Sequence, residues 1–144
     1  MTPTEPPVIS QVEQLLAEKG YEVSEVGEDV LRVRDVDTGL TFQAALQGNV
    51  LYMSIVLQTC PTHEITPEKM KTMLSAENGI STSAFQLYDT GDGRTAVTLS
   101  NFCTLQNMGP EDQDDVLSLA AYLMADVMVA RDLLTGGQTA AQAK

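Results

Sequence analysis

Cys60 and His63 stand three positions apart, a spacing at which a thiolate and an imidazole can share a zinc ion or act as nucleophile and base. A tetrahedral zinc site needs two further donors, and Cys103 with Glu64 would be the pair to complete it. A small thiol- or metal-dependent enzyme built on Cys60, His63 and Cys103 is therefore the alternative reading. The simpler one is a half-buried thiol beside a loop histidine. Asp-Thr-Gly occurs twice, at Asp37-Thr38-Gly39 and Asp89-Thr90-Gly91, and paired copies of that tripeptide can present two carboxylates that share a proton. Here Leu40 and Asp92 follow the two copies, where Ser or Thr is the usual successor, and each copy sits at an expected hairpin tip. A solvated turn aspartate shares no proton.

Other candidates fail on similar grounds. Asp89 and Asp92 with their glycines suggest a calcium loop, but Arg94 and Ser100 stand where the loop's glycine and bidentate glutamate belong. Glu111, Asp112, Asp114 and Asp115 form a dense acidic cluster behind Pro110. Negative charge in the first turns of a helix complements its dipole, and proline fits its first position, so a helix start accounts for them. No glycine-rich loop has the spacing of a phosphate-binding fingerprint, and no cofactor is implied. Met53, Met70, Met73, Met108, Met124 and Met128 are a soft apolar inventory that mostly suits a core, with the rest suited to an adaptable surface.

Any such residues must be positioned by one domain of ordinary size, since 144 residues with 43% hydrophobic content can bury a core without staples. The 20 acidic and 8 basic side chains give a net charge of −12. That field repels phosphate backbones and anionic lipid, so neither nucleic acid nor membrane is expected as a partner. Two distant cysteines fit reduced thiols in the cytoplasm better than a disulfide scaffold. Neither a signal-peptide pattern nor an apolar run long enough to span a bilayer is present.

Val8, Ile9, Val12, Leu15 and Leu16 recur at helical spacing up to Gly20, a left-handed stop. From Tyr21 the period falls to two, giving four strands that end with Val50 to Leu57, with turns at Gly27-Glu28-Asp29, Asp37-Thr38-Gly39 and Gln47-Gly48-Asn49. The fourth run is apolar on both faces, which predicts a central strand covered on each side. After a loop through Cys60, Pro61 and His63, Thr66-Pro67-Glu68 opens a second helix. Two strands follow, around Phe85 to Tyr88 and Arg94 to Leu99. The last helix, Pro110 to about Thr135, is apolar nearly all round, with only a narrow polar strip of Ser118, Asp126 and Asp132; such a helix is buried on two sides, which predicts a homodimer. The expectation is a single α+β domain over residues 8–135, an antiparallel sheet flanked by helices in the order α-β-β-β-β-α-β-β-α. Residues 1–7 and 136–144 are expected to be flexible tails.

Leu15-Leu16 through Gly20-Tyr21-Glu22-Val23, the charged turn and strand from Asp35 to Phe42, and Leu74 through Asn78 with Ala84-Phe85 and the hairpin after it give the chain a family likeness. It resembles the YbjN-like family and, at greater distance, the type III secretion chaperones that share its fold, over roughly residues 8 to 135. The resemblance implies a dimeric, non-enzymatic protein that holds an extended segment of another protein or takes part in regulation. It implies no catalytic residues. By analogy with the chaperones, Val12, Leu15, Leu16, Phe42 and Leu46 become candidate partner contacts, and Leu123 and Val127 candidates for core or dimer packing.

Overall fold

The computed structural model describes residues 7–135, and the order is the expected one. Helix α1 (Ile9–Glu18) leads into strands β1 (Glu22–Gly27), β2 (Val30–Arg34), β3 (Thr41–Gln47) and β4 (Val50–Pro61). A single 3-10 turn, Thr62–Glu64, precedes helix α2 (Pro67–Leu74), strands β5 (Ala84–Asp89) and β6 (Arg94–Thr104), and helix α3 (Pro110–Leu134). Of the expected tails, residues 1–6 and 136–144 lie outside the described residues; Pro7, assigned above to the first of them, is buried.

The strands form one antiparallel six-stranded sheet in the order β1-β2-β3-β4-β6-β5. β4 and β6 are its spine. They pair from Val50↔Thr104 to Pro61↔Arg94 across a bulge between Val56 and Gln58. Both strands outrun their sequence estimates, and Cys60 consequently belongs to β4 instead of a loop.

Alternation along the strands sends one set of side chains to a single core face. Leu31 and Val33 of β2, Phe42, Ala44 and Leu46 of β3, Leu51, Met53 and Ile55 of β4, and Leu99 of β6 all lie there, buried. Helices α1 and α3 cover this face, with Val12, Leu15 and Leu16 from one and Val116, Ala120, Leu123, Val127 and Ala130 from the other. Each fully buried aliphatic side chain of this set contributes roughly 1.5–3 kcal/mol of transfer free energy. Tyr21 meets Phe42 edge-on, with centroids 6.3 Å apart, and closes the α1 end of the core. No helix among the described residues is long and apolar enough to cross a membrane.

Local signals explain the element ends. The Thr66 hydroxyl accepts from the Lys69 N–H at 3.2 Å, with Pro67 at the first helical position. The first helix stops at Gly20, whose φ of +97° costs other residues energy.

Val12, Leu15, Leu16, Phe42 and Leu46, the expected partner contacts, are between 0% and 7% exposed. They are core: the α1 stripe that reads as a groove in sequence is already filled by the sheet. Leu16→Asp is therefore expected to remove about 4 kcal/mol or more of stability by burying a charge without a partner, read as loss of the cooperative urea transition. A Leu15→Asp/Leu16→Asp chain that melted like the wild type would return these side chains to the surface.

Candidate protein-binding face

β4 is central in the sheet order, but among the described residues only one of its faces is covered, contrary to the expectation from its two-sided apolarity. Both helices that pack on the sheet use the same side. On the other side Tyr52 is 40% exposed, Val56 59%, Phe102 63% and Tyr88 53%. Register sets Tyr52 beside Phe102, with Val56 two rows and Tyr88 three rows further along the same face. Ala45 of β3 faces Tyr52 of β4, which faces Phe102 of β6, and one row on Ser54 faces Ser100, which faces Ala84 of β5. The Tyr52 and Phe102 rings lie 5.9 Å apart and tilted by 40°, a cross-strand aromatic pair left in solvent.

A shallow groove of about 490 Å³ runs across these residues, floored by Ser54, Ser100 and Gln86 and walled by Tyr52, Tyr88 and Phe102. Its polar groups are ordered: the Tyr88 hydroxyl and the Ser100 hydroxyl both donate to Gln86 Oε1, at 2.9 and 3.0 Å. From Thr41 to Gln47 on β3, through Tyr52 to Val56 on β4, and across to Tyr88 on β5, this face carries no charged side chain. Charge returns at its margins, at Arg94 where β6 begins and at the far side, where Arg34 on β2 bonds Glu22 on β1 at 2.6 Å and Arg32 lies alongside. On a chain of net charge −12, a neutral aromatic face is where a partner can desolvate at least electrostatic cost.

The edge of this face is set by two buried carboxylates that composition gave no reason to separate from the other acids. Asp126, in mid-α3, is 2% exposed and turned toward the segment leading into β5. It accepts from the Ser81 N–H and hydroxyl, both at 2.9 Å, and from the Thr82 and Ser83 N–H groups at 3.3 and 3.1 Å. Burial pulls its pKa up, but the hydrogen bonds from Ser81 and Ser83 outweigh that and hold it below the usual carboxylate value. Asp112 is likewise turned inward from the acidic cluster. Its Oδ2 accepts from the N–H groups of Gln106, Asn107 and Met108 at 2.7 to 2.8 Å, securing a turn in which Met108 has φ of +58°. Here too burial raises the pKa and the three N–H groups more than offset it. Glu111, Asp114 and Asp115 stay exposed at the helix start.

The thiol site of the alternative reading does not assemble. Cys60 pairs with Thr95 at one end of β6 and Cys103 with Leu51 at the other, about 26 Å apart at a strand rise of about 3.3 Å per residue. His63 is exposed in the 3-10 turn beyond Cys60. Burial pushes the Cys103 thiol up to about 11, with Asp115 and Asp112 adding to the shift, which is the wrong direction for a nucleophile. The two Asp-Thr-Gly copies occupy the β2–β3 and β5–β6 hairpins, offset across the sheet by three strand spacings, or about 14 Å, and further along it, and each aspartate's surroundings are those of a turn. Leu123 and Val127, expected in core or dimer packing, are both fully buried within the chain.

Three outcomes follow from these environments. Asp126→Ala leaves the Ser81, Thr82 and Ser83 donors without their acceptor and should cost roughly 3 kcal/mol or more in urea melts at pH 7, with Asp126→Asn costing less. Because both folded pKa values lie below the unfolded value of about 3.9, the carboxylates' contribution is present above that pH and is lost as pH falls through the folded values; stability of the wild type should drop below about pH 4, with a shallower drop in Asp126→Asn. Cys103 should react with iodoacetamide at a rate that still rises beyond pH 10, whereas an ordinary thiol levels off near 9; peptide mass spectrometry of alkylated protein reads this directly.

No family model matches the chain, and no curated protein does. Among solved structures, the crystal structure of YbjN from E. coli, described as a candidate transcription regulator, superposes with a TM-score of 0.65 over 92% of this chain and 93% of that one, at 17% identity. With the element order and the six-stranded antiparallel sheet, that superposition establishes that this chain has the YbjN-like fold.

Proposed function

We propose that this chain is a non-enzymatic protein-binding module, regulatory or chaperone-like, which receives an extended, uncharged segment of another polypeptide on the open face of its sheet and works in the cytoplasm as a homodimer. The observation that carries the reading is the neutral aromatic platform of Tyr52, Phe102 and Tyr88 on an otherwise strongly acidic protein. Aromatic side chains supply much of the energy of protein interfaces, and the ordered amide and hydroxyl groups of Gln86 and Ser100 offer hydrogen bonds to a backbone laid across them. Acidic surroundings favour basic residues flanking the bound segment. The description of YbjN as a candidate transcription regulator supports the regulatory side of this reading. A net charge of −12 favours regulation by contact with a protein over contact with phosphates.

The residues inferred from the secretion chaperones lie on the covered side; the proposed contact positions are on the opposite face of the sheet, on β4, β5 and β6. Tyr52→Ser/Phe102→Ser should lower stability by only about 2–3 kcal/mol and leave the chain folded, because both side chains are partly exposed, yet lower capture of cross-linked protein partners from host lysate at least tenfold. An unchanged partner profile in a folded double variant would sink the proposal. In the same preparation, fluorescence anisotropy with duplex DNA at physiological salt is expected to show no binding.

A further inference from the structure

The groove on the open face has a hydrogen-bonding bias of its own. Beneath it β4 is paired on both sides, with β3 and β6, and so is β6, with β4 and β5. Peptide groups engaged in this way have nothing left for an occupant, so a segment lying on this face is held by side chains alone. The Tyr88 and Ser100 hydroxyls both spend their protons on Gln86 Oε1. Two donors fill that oxygen's lone pairs and leave the Gln86 Nε2, with its two hydrogens, to serve an occupant. The hydroxyls of Tyr52 and Ser54 line the same groove and are further donors. No carboxylate lines it, and the amide oxygen at its floor is already taken.

We infer that the segment received here is proline-rich and lies in the groove as a polyproline II helix, one proline on the Tyr52–Phe102 pair, another against Tyr88, and basic residues at its flanks. This names the partner class of the binding face described above and rests on that reading. Proline has no N–H, so it asks no acceptor of a groove that offers mainly donors. A polyproline II helix has no internal hydrogen bonds, and its free carbonyls are what the Gln86 amide and the hydroxyls can bond. The spacing agrees. Tyr88 is rooted three rows from Phe102, but its hydroxyl leans back to Gln86, whose row lies two from the ring pair, or about 13 Å. Two successive three-residue turns of the helix, about 9 Å each, set a proline over each end of that span.

Other occupants fit less well. A β-strand segment brings an N–H at every residue with no strand edge to receive it, and an α-helix has spent its carbonyls internally. Aromatic-lined grooves suit polyproline II because the segment is already extended before it binds and loses little conformational entropy on a shallow surface. Charge sets the flanks. The groove is neutral, but it lies in the field of a chain of net charge −12, and Asp89 and Asp92, offset by Arg94 alone, stand beyond its Tyr88 end. Arginine or lysine outside the proline core gains that attraction without entering the groove.

Fluorescence anisotropy of the full chain tests this with a labelled peptide that carries two Pro-x-x-Pro repeats of uncharged residues between terminal arginines. A companion peptide has valine for each proline, which keeps it extended and restores the N–H groups. The proline peptide should bind at least about tenfold more tightly than the valine peptide, and Tyr52→Ser/Phe102→Ser should weaken it by a similar factor. Gln86→Glu keeps the acceptor for Tyr88 and Ser100 but removes the amide donor, so it should weaken the same peptide without its arginines about threefold or more. A valine peptide that binds equally well, a proline peptide that does not bind, or binding that the double variant leaves unchanged overturns the proline assignment. The open-face reading survives each of these results if capture from lysate still depends on Tyr52 and Phe102, and falls as well if it does not.

Discussion

A six-stranded sheet has two faces to remove from water, and the described residues supply packing helices for one. That constraint organises the rest of the molecule. The core face takes the large aliphatic residues of β2, β3, β4 and β6 and receives α1 and α3. The other face must stand in solvent, which is tolerable for Ser54, Ser100, Gln43 and Gln47 but leaves Tyr52, Val56, Tyr88 and Phe102 partly uncovered. Single exposed apolar residues are common on protein surfaces; a cross-strand aromatic pair with a third ring and an aliphatic neighbour on one neutral stretch of a face is a larger concentration, and the proposed binding role rests on it.

Two aspartates hold the frame in which that face is displayed. Both lie on α3, Asp112 near its start and Asp126 past its middle, and each spends its charge on backbone N–H groups of a segment that has no regular structure of its own. The first fixes the turn from β6 into α3. The second anchors residues 81–83, and with them the entry to β5, against the helix. In an acidic chain these are the carboxylates for which the desolvation cost is met by several charge-assisted hydrogen bonds, while their neighbours remain in water. The position of the β5 edge thus depends on a carboxylate on the opposite side of the sheet's end.

The two cysteines are kept apart by the same architecture. β4 and β6 run the length of the sheet, so residues at their opposite ends, such as Cys60 and Cys103, cannot converge. Cys103 lies half-buried beside two aspartates, a setting that stabilises the neutral thiol. What the open face brings together is rings, an amide and hydroxyls.

Element order, the hairpin turns and the helix starts were legible in the sequence, because they follow from local rules: two-residue alternation, Gly20 as a stop, Thr66 and Pro67 as a start. The length of β4 was less so, since Gln58 to Pro61 breaks the apolar alternation and is held in the sheet by its pairing with β6. Periodicity also identified the core stripe of α1, but could not tell a stripe that is filled from one that is open, so Leu15 and Leu16 read as a groove. β4 was expected to be covered twice because both its faces are apolar; whether a helix exists to cover the second is decided by the packing of α1 and α3 together. Asp126 offered one polar position on an apolar helix, with nothing to distinguish a solvent strip from a buried clamp, because its partners lie some 45 residues away. The sequence by itself determined which residues alternate and where the chain turns, as those depend on neighbours along the chain. Only the tertiary structure decided which face stays open and which carboxylates turn inward, because each depends on contacts between segments that are remote in the chain.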